Sequence, residues 1–203
     1  MILVASQERD FVEWHGGCPT ALVWALDLGD PALVAQVVAA RARLGDVLLP
    51  RYERQPHVTI AYAGLGPHEG ATPEGHLYPP ESLVRDLDLL RGSGIGPLRV
   101  EVSGWDTFAM APYLGADVPG AADLRALLLG GAEGYVPHVT LGFYAAGADA
   151  ATLHERMSGW DAPSLGYDVD SLTLFSYATS DIAGPLAVVG RLSLADGTWS
   201  PAN

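Results

Sequence analysis

The sequence predicts a mixed fold of helices and strands, of the α/β or α+β class, that is built from two similar halves. Strand-like apolar segments alternate with segments of helical spacing along the chain, and scattered glycines and prolines separate them. The four residues Pro-His-Val-Thr occur twice, at 56–59 and at 137–140, which indicates an internal repeat. Hydrophobic residues make up 49% of the 203 residues and charged residues only 17%, which is enough apolar material for a packed core. We therefore expect a single domain, 1–203, with repeats at about 20–96 and 97–195 and an N-terminal extension at 1–19.

The first half alternates strands with helices, and its boundaries follow from local signals. Asp30 is a suitable N-cap, Pro31 suits the first helical position, and Gly45 suits a helix end. A stretch rich in glycine, proline and histidine predicts a loop before the second helix. The predicted elements are a strand at 20–27, a helix at 31–44, a strand at 57–63, a loop at 64–80 and a helix at 81–90.

The second half repeats this alternation and ends with two strands that we expect to pair. Apolar residues at helical spacing distinguish its helices from the shorter apolar runs typical of strands. The predicted elements are strands at 98–102 and about 108–114, a helix at 121–129, a strand at 138–144, a helix at 150–157, and strands at 169–177 and 186–194.

The charge balance limits the classes of partner. Net charge is −13, from 24 acidic and 11 basic residues, and every basic residue is an arginine. Proteins that bind long nucleic acids through many phosphates usually carry a basic surface, so we expect no long nucleic acid partner, although a local positive pocket is still compatible with this charge. The single cysteine, Cys18, fits a reducing compartment. No signal-peptide pattern and no apolar run of membrane-spanning length is present, so we expect a soluble, cytoplasmic protein without a membrane partner.

The repeated motif places a histidine and a threonine on one face of a strand in each half. Alternate residues of a strand point to the same side, so His57 lies with Thr59 and His138 lies with Thr140. If a pseudo-two-fold axis relates the halves, two imidazoles and two hydroxyls meet in one cleft. Imidazole can act as a base or an acid near neutral pH, and hydroxyls can donate hydrogen bonds to phosphate oxygens. This set suits phosphoryl chemistry and requires neither a metal nor a cofactor.

The two motifs resemble the paired His-x-Thr/Ser motifs of the two-histidine phosphoesterase superfamily, which includes bacterial RNA 2′,5′-ligase-like proteins and cyclic nucleotide phosphodiesterases. The closing segments at 169–177 and 188–194 are also similar to that family, and the resemblance covers about residues 20–195. It implies a bilobed α+β module in which antiparallel-rich sheets face a central cleft. It also implies catalytic roles for the histidines and threonines of both motifs.

Three further side chains near the motifs are candidates for substrate binding. Arg51 and Arg54 precede the first motif and could reach a phosphate or a flanking nucleotide, because a guanidinium forms paired hydrogen bonds with such groups. A solvated loop arginine is the alternative for each of them. Tyr144 follows His138 by six residues, on the same face of a regular strand, and could stack on a base or simply line the edge of the cleft. Phe108 is expected in the core.

Together these observations favour a metal-independent phosphodiesterase or cyclic phosphodiesterase. We expect its substrate to be a small nucleotide or an oligonucleotide end that carries a 2′,3′-cyclic phosphate, a related cyclic nucleotide phosphate or a 2′,5′-linkage, and we expect the protein to be a monomer. His138 is assigned as general base and His57 as general acid, but the pseudo-symmetry allows the opposite order. Two alternatives stay open: the cleft could bind a nucleotide without turning it over, or the repeated histidines could serve only packing.

Overall fold

Two antiparallel sheets form the framework of the protein in a computed structural model, which describes residues 2–145, 147 and 149–202. The first sheet contains β1 (Thr20–Asp27), β2 (His57–Leu65), β7 (Ser171–Ala178), β8 (Ala187–Ser193) and β9 (Trp199–Pro201). The second contains β3 (Leu98–Thr107), β4 (Pro112–Asp117), β5 (His138–Thr140) and β6 (Leu165–Val169). The strand orders are β2-β1-β7-β8-β9 and β5-β4-β3-β6. This arrangement confirms the predicted α+β class.

The helices are α1 (Val12–His15), α2 (Pro31–Leu44), α3 (Pro80–Gly92), α4 (Ala121–Leu129) and α5 (Ala150–Arg156). The predicted cap of α2 is present, because the Asp30 carboxylate accepts a hydrogen bond from the Ala32 amide at 2.8 Å. The short elements α1, β6 and β9 were not predicted from the sequence. Among the described residues, no helix combines the length and the apolar character needed to cross a membrane.

The apolar residues of both motifs lie in one continuous core. Val58 and Ile60 of β2 are fully buried, and so are Val139 and Leu141 in and just after β5. Burial of each such side chain stabilises the fold by about 1.5–3 kcal/mol. The valines therefore point away from the cleft, as strand periodicity predicts, and they fix the register that turns the histidines and threonines the other way.

The two lobes differ from the two sequence repeats in one respect. Strand β7 follows the second motif in the sequence, yet it pairs with β1 of the first sheet. In each sheet the motif strand, β2 or β5, consequently stands at an edge next to a single partner. Edge strands leave one side without a ladder partner, so both motif strands can border the same cleft.

The second motif strand is shorter than predicted, because the chain turns immediately after it. Gly142 has a φ of +147°, a conformation that favours glycine. A Cβ atom there would displace the guanidinium of Arg41, which donates a hydrogen bond to the Leu141 carbonyl. The Phe143 carbonyl then accepts a hydrogen bond from the Leu49 amide at 2.8 Å in the other lobe. Residues beyond Leu141 therefore no longer follow the alternation of β5.

Candidate active site

His57 is the first residue of β2 and is held in one orientation. Its Nδ1 lies 2.7 Å from the Gln55 carbonyl oxygen. A carbonyl only accepts hydrogen bonds, so Nδ1 carries the proton and the lone pair of the neutral imidazole is on Nε2. The Gln55 side chain is itself fixed to the Leu186 backbone, with Nε2 donating to the carbonyl at 3.2 Å. The imidazole is 7% exposed and packs edge-on against the ring of Phe175.

His138 repeats this arrangement in the second lobe. It is the first residue of β5, and its Nδ1 donates to the Val136 carbonyl oxygen at 2.7 Å. It is half-buried, and the rings of Phe108 and Tyr113 lie 4.9 and 5.3 Å from its own ring. Both histidines therefore present Nε2 as the free nitrogen, which is the geometry that proton transfer to or from a ligand requires.

The two motif strands come together in space. The hydroxyl of Tyr135, just before the second motif, donates to the backbone carbonyl of Thr59 in the first motif at 3.0 Å. On the neighbouring helix α4, Arg125 donates to the Ile60 carbonyl at 2.9 Å. The imidazoles are close enough for the charge of His138 to lower the pKa of His57. These contacts place the start of the second motif next to the strand that carries the first.

Both imidazoles are neutral at pH 7 in the ligand-free protein. Burial is the main cause that lowers the pKa of His57 to about 4. The nearby Arg54 and His138 also lower this pKa, whereas the hydrogen bond to the Gln55 carbonyl and the charge of Asp27 raise it. Burial also lowers the pKa of His138, while the bond to the Val136 carbonyl opposes the shift. The site is thus a desolvated cleft that disfavours extra positive charge until an anion binds.

The motif threonines are half-buried on the same side as the histidines. Thr140 lies near Tyr52, an aromatic residue between Arg51 and Arg54 that the sequence analysis did not single out. Burial raises the pKa of Tyr52, so its hydroxyl stays protonated. The hydroxyls of Thr59, Thr140 and Tyr52 are therefore neutral hydrogen-bond donors on or beside the motif strands.

Arg54 is the cation of the site. Its guanidinium lies over the ring of Tyr177, 4.4 Å from the ring centroid, and 6.0 Å from the ring of Phe143. Its Nε is buried and has no hydrogen-bond partner among the described residues. A buried N–H without a partner is costly, and an anionic oxygen would satisfy it. This position suits the predicted contact of Arg54 with a phosphate.

Arg51, the other predicted arginine, has a different set of partners. Its guanidinium binds both carboxylate oxygens of Asp181, at 2.9 and 2.6 Å, and its Nε donates to Glu8 at 2.8 Å. These contacts lower the pKa of Asp181. Because its donors are already bound to carboxylates, Arg51 links the N-terminal extension to the β7–β8 connection and does not serve as a free phosphate contact.

The prediction that Tyr144 stacks on a base is wrong. β5 ends before it, and the side chain is fully buried, with its hydroxyl hydrogen-bonded to Thr107. Phe108 is also misplaced by the sequence analysis, because it is 37% exposed and stacks on Tyr113 beside His138. The half-buried aromatic that follows the second motif is instead Phe143, which occupies the position of Tyr62 in the first repeat.

The described part of the chain contains no group of three or more histidine, cysteine, aspartate or glutamate side chains placed to hold a metal ion. The ionisable groups of this cleft include the two imidazoles, the guanidinium of Arg54 and, beside His57, the carboxylate of Asp27. Chemically, such a set can bind an anion, accept one proton and donate another.

The chain matches one family model, described as the 2′-5′ RNA ligase superfamily, over residues 29–181. No curated protein matches it significantly. Among solved structures, LigT of E. coli complexed with 3′-AMP is similar at a TM-score of 0.57 and 19% identity, over 87% of this chain and 98% of LigT. A structure named a phosphoesterase is similar at a TM-score of 0.56 and 18% identity, over 87% of this chain and 99% of that one. A protein of Thermus thermophilus has a TM-score of 0.54 and 17% identity, over 86% of this chain and 97% of its own. At these identities the similarity establishes a shared fold.

Proposed function

The chain belongs to the 2′-5′ RNA ligase superfamily, and from that premise we propose that it hydrolyses a phosphodiester of a small nucleotide or an oligonucleotide end. The bond broken is in a 2′,3′-cyclic phosphate, a related cyclic nucleotide phosphate or a 2′,5′-linkage. The observation that carries this proposal is the matched pair of imidazoles, each with Nδ1 fixed by a carbonyl two residues earlier and Nε2 free. A nucleotide ligand is also supported by LigT, whose structures are titled as complexes with 3′-AMP and with phosphate.

The two imidazoles divide the proton transfers between them. One Nε2 removes a proton from water as the water oxygen attacks phosphorus. The P–O bond to the leaving ribose oxygen breaks, and the other imidazolium donates its proton to that oxygen. The products are a phosphomonoester and a free hydroxyl, and the proton gained by the base replaces the one lost by the acid after exchange with solvent. Because the protein supplies both proton transfers, this route does not depend on a metal ion.

Substrate binding creates the protonation state that the reaction needs. The empty site holds two neutral imidazoles, because burial lowers the pKa of both. A phosphodiester anion between them favours the charged form of the imidazole and raises its pKa, so one of the two takes up a proton as the substrate binds. The hydroxyls of Thr59 and Thr140, together with Arg54, then donate to the non-bridging oxygens while charge shifts onto them.

The proposal is tested by turnover of 2′,3′-cyclic mononucleotides, 3′,5′-cyclic mononucleotides and 2′,5′-linked dinucleotides, each with and without excess chelator. We expect product from at least one class, at a rate that the chelator does not change. His57→Ala and His138→Ala should each lower kcat by about 10²–10⁴. His68→Ala is the matched control, because His68 is exposed in the loop between β2 and α3.

Three outcomes would contradict the proposal. Saturable nucleotide binding without product would make the cleft a binding module. Loss of activity in chelator that zinc or manganese restores would indicate a metal mechanism. Near-full activity in either motif-histidine variant would remove that imidazole from the chemistry.

A further inference from the structure

The N-terminal extension forms one wall of a pocket beside the candidate active site, and we propose that this pocket binds the nucleobase of the substrate. The inference rests on the proposed function, because it assumes that the phosphate of a nucleotide lies between His57 and His138. It assigns a specificity role to residues 5–11, which lie outside the 29–181 segment matched by the family model.

The extension is a fixed part of the fold. Its Val4 amide donates to the Ala109 carbonyl at 2.7 Å, and its Ser6 amide donates to the Tyr144 carbonyl at 2.7 Å. Farther along, Glu8 is bound by Arg51, which also holds Asp181 in the β7–β8 connection. The segment is therefore attached to both lobes, and its side chains have defined positions next to the cleft.

The pocket has the chemistry of a nucleobase site. Its volume is about 360 Å³, near the lower end for pockets that bind small molecules and suited to one ring system. The lining combines apolar side chains with a few polar ones: Ala5, Ser6, Gln7, Arg9, Phe11, Met110, Phe143 and Ile182. The Arg9 guanidinium lies 3.9 Å from the centroid of the Phe11 ring, and its donors are bound to Glu13, Gln7 and the Asp10 carbonyl. The extension therefore offers a fixed stack of two flat groups, and not a free cation. A heterocyclic base, which has flat faces and a hydrogen-bonding edge, matches this combination.

The pocket adjoins the position proposed for the phosphate. Phe143 lines it, and the same ring lies 5.5 Å from the ring of Tyr52 and 6.0 Å from the Arg54 guanidinium. On the other side, Met110 belongs to the β3–β4 turn that carries Phe108, whose ring packs against His138. One side chain thus separates the pocket from the cation of the site, which is the relation that a base and its own phosphate require.

The test compares two substrates that differ only in the base. One is adenosine 2′,3′-cyclic phosphate, and the other is 1-O-methylribose 2′,3′-cyclic phosphate, which has none. Phe11→Ala and Met110→Ala each remove one lining side chain, from different segments of the chain, so the test can still be completed if one variant does not fold. Val12→Ala is the matched control, because Val12 is exposed, adjacent to Phe11 and not part of the lining. Calorimetric binding of 3′-AMP and of inorganic phosphate is measured in parallel on the same proteins.

The measured quantity is the ratio of two kcat/KM values, that for the adenosine substrate divided by that for the base-free substrate. We expect this ratio to fall about tenfold in Phe11→Ala and Met110→Ala, as for the loss of one base-stacking contact. It should be unchanged in Val12→Ala. The affinity for 3′-AMP should fall by the same factor relative to phosphate. If Phe11→Ala and Met110→Ala change neither this ratio nor the affinity for 3′-AMP relative to phosphate, the pocket assignment is wrong. Turnover by the unmodified protein would in that case still support the proposed function. Conversely, if neither the cyclic mononucleotides nor the 2′,5′-linked dinucleotides are hydrolysed, but Phe11→Ala weakens binding of 3′-AMP and not of phosphate, the proposed function fails and the base pocket is supported.

Discussion

Replacing His57 with asparagine should make the stability of this protein less sensitive to acid. His57 is 7% exposed in the folded chain, and burial lowers its pKa to about 4 from 6.5. In the unfolded chain the imidazole is in water, so it binds a proton more readily there than in the fold. The asparagine amide nitrogen can replace Nδ1 as the donor to the Gln55 carbonyl, so this variant removes the titration and keeps the hydrogen bond.

The expected size of the effect follows from these two pKa values. Above pH 6.5 the imidazole is neutral in both states and contributes nothing to the pH dependence. Between pH 6.5 and 4 the unfolded chain binds more protons than the folded chain, so stability is lost as the pH falls. Below pH 4 both states are protonated and the loss is complete. Each pH unit of difference is worth about 1.4 kcal/mol, which gives a loss of about 2 kcal/mol at pH 5 and about 3 kcal/mol in full.

The measurement is urea unfolding followed by tryptophan fluorescence at several pH values between about 8 and 4.5. The quantity of interest is the difference in the free energy of unfolding between the unmodified protein and His57→Asn, because the titration of the carboxylates and of His138 largely cancels in that difference. It should change by about 2 kcal/mol in favour of the variant between pH 7.5 and pH 5. His68→Asn, which alters an exposed loop histidine, should show no such change. A change below about 0.5 kcal/mol for His57→Asn would refute the argument, since His57 would then accept a proton as easily in the fold as in water.

Three other predictions test the site and its surroundings. A p-nitrophenyl phosphodiester has a good leaving group and needs no general acid, so its hydrolysis should be retained in the variant that lacks the acid and lost in the variant that lacks the base. Because His57 is the more deeply buried imidazole, we expect it to be the base and His138→Ala to retain activity, which reverses the sequence-based assignment. Activity retained in both variants or in neither would refute paired acid–base catalysis. Tyr144→Phe removes the hydrogen bond to Thr107, so its free energy of unfolding in urea titrations should be lower by about 1 kcal/mol and its KM unchanged. A raised KM would indicate that Tyr144 contacts the substrate. Val139→Ala should lower the free energy of unfolding by about 2 kcal/mol, and with it the melting temperature, but should not change turnover per folded molecule. A variant that is stable but inactive would indicate that Val139 belongs to the site.

The placement of the two motif histidines could be predicted from the sequence because it depends on local geometry. Two-residue periodicity alone places His57 with Thr59 and His138 with Thr140, and the buried valines between them confirm that pattern. The helix signals were equally local: the prediction of a helix from Pro31 to Leu44 is confirmed at both ends.

The errors began where a residue's partner is distant in the sequence. Tyr144 was placed on a strand that ends at Thr140, before the turn at Gly142, and the Leu141 carbonyl in that turn is bound by Arg41, about a hundred residues away. Arg51 precedes the first motif closely enough to suggest a phosphate contact. Its partners are Glu8 and Asp181, which are separated from it by 43 and 130 residues. No local pattern in the sequence identifies such pairs.

The repeat, the mixed fold and the shared strand faces of the four motif side chains could all be read from the amino-acid sequence, because short-range backbone geometry controls them. Long-range packing was needed to show that β7 joins the first sheet, that Arg54 and not Arg51 has a buried Nε without a partner among the described residues, and that the N-terminal extension lines a pocket next to Phe143. These features depend on which distant segments pack together. Packing is fixed by the shape and burial of the whole chain, so the same arginine or tyrosine can bind a ligand, join an ion-pair cluster or fill the core according to what surrounds it.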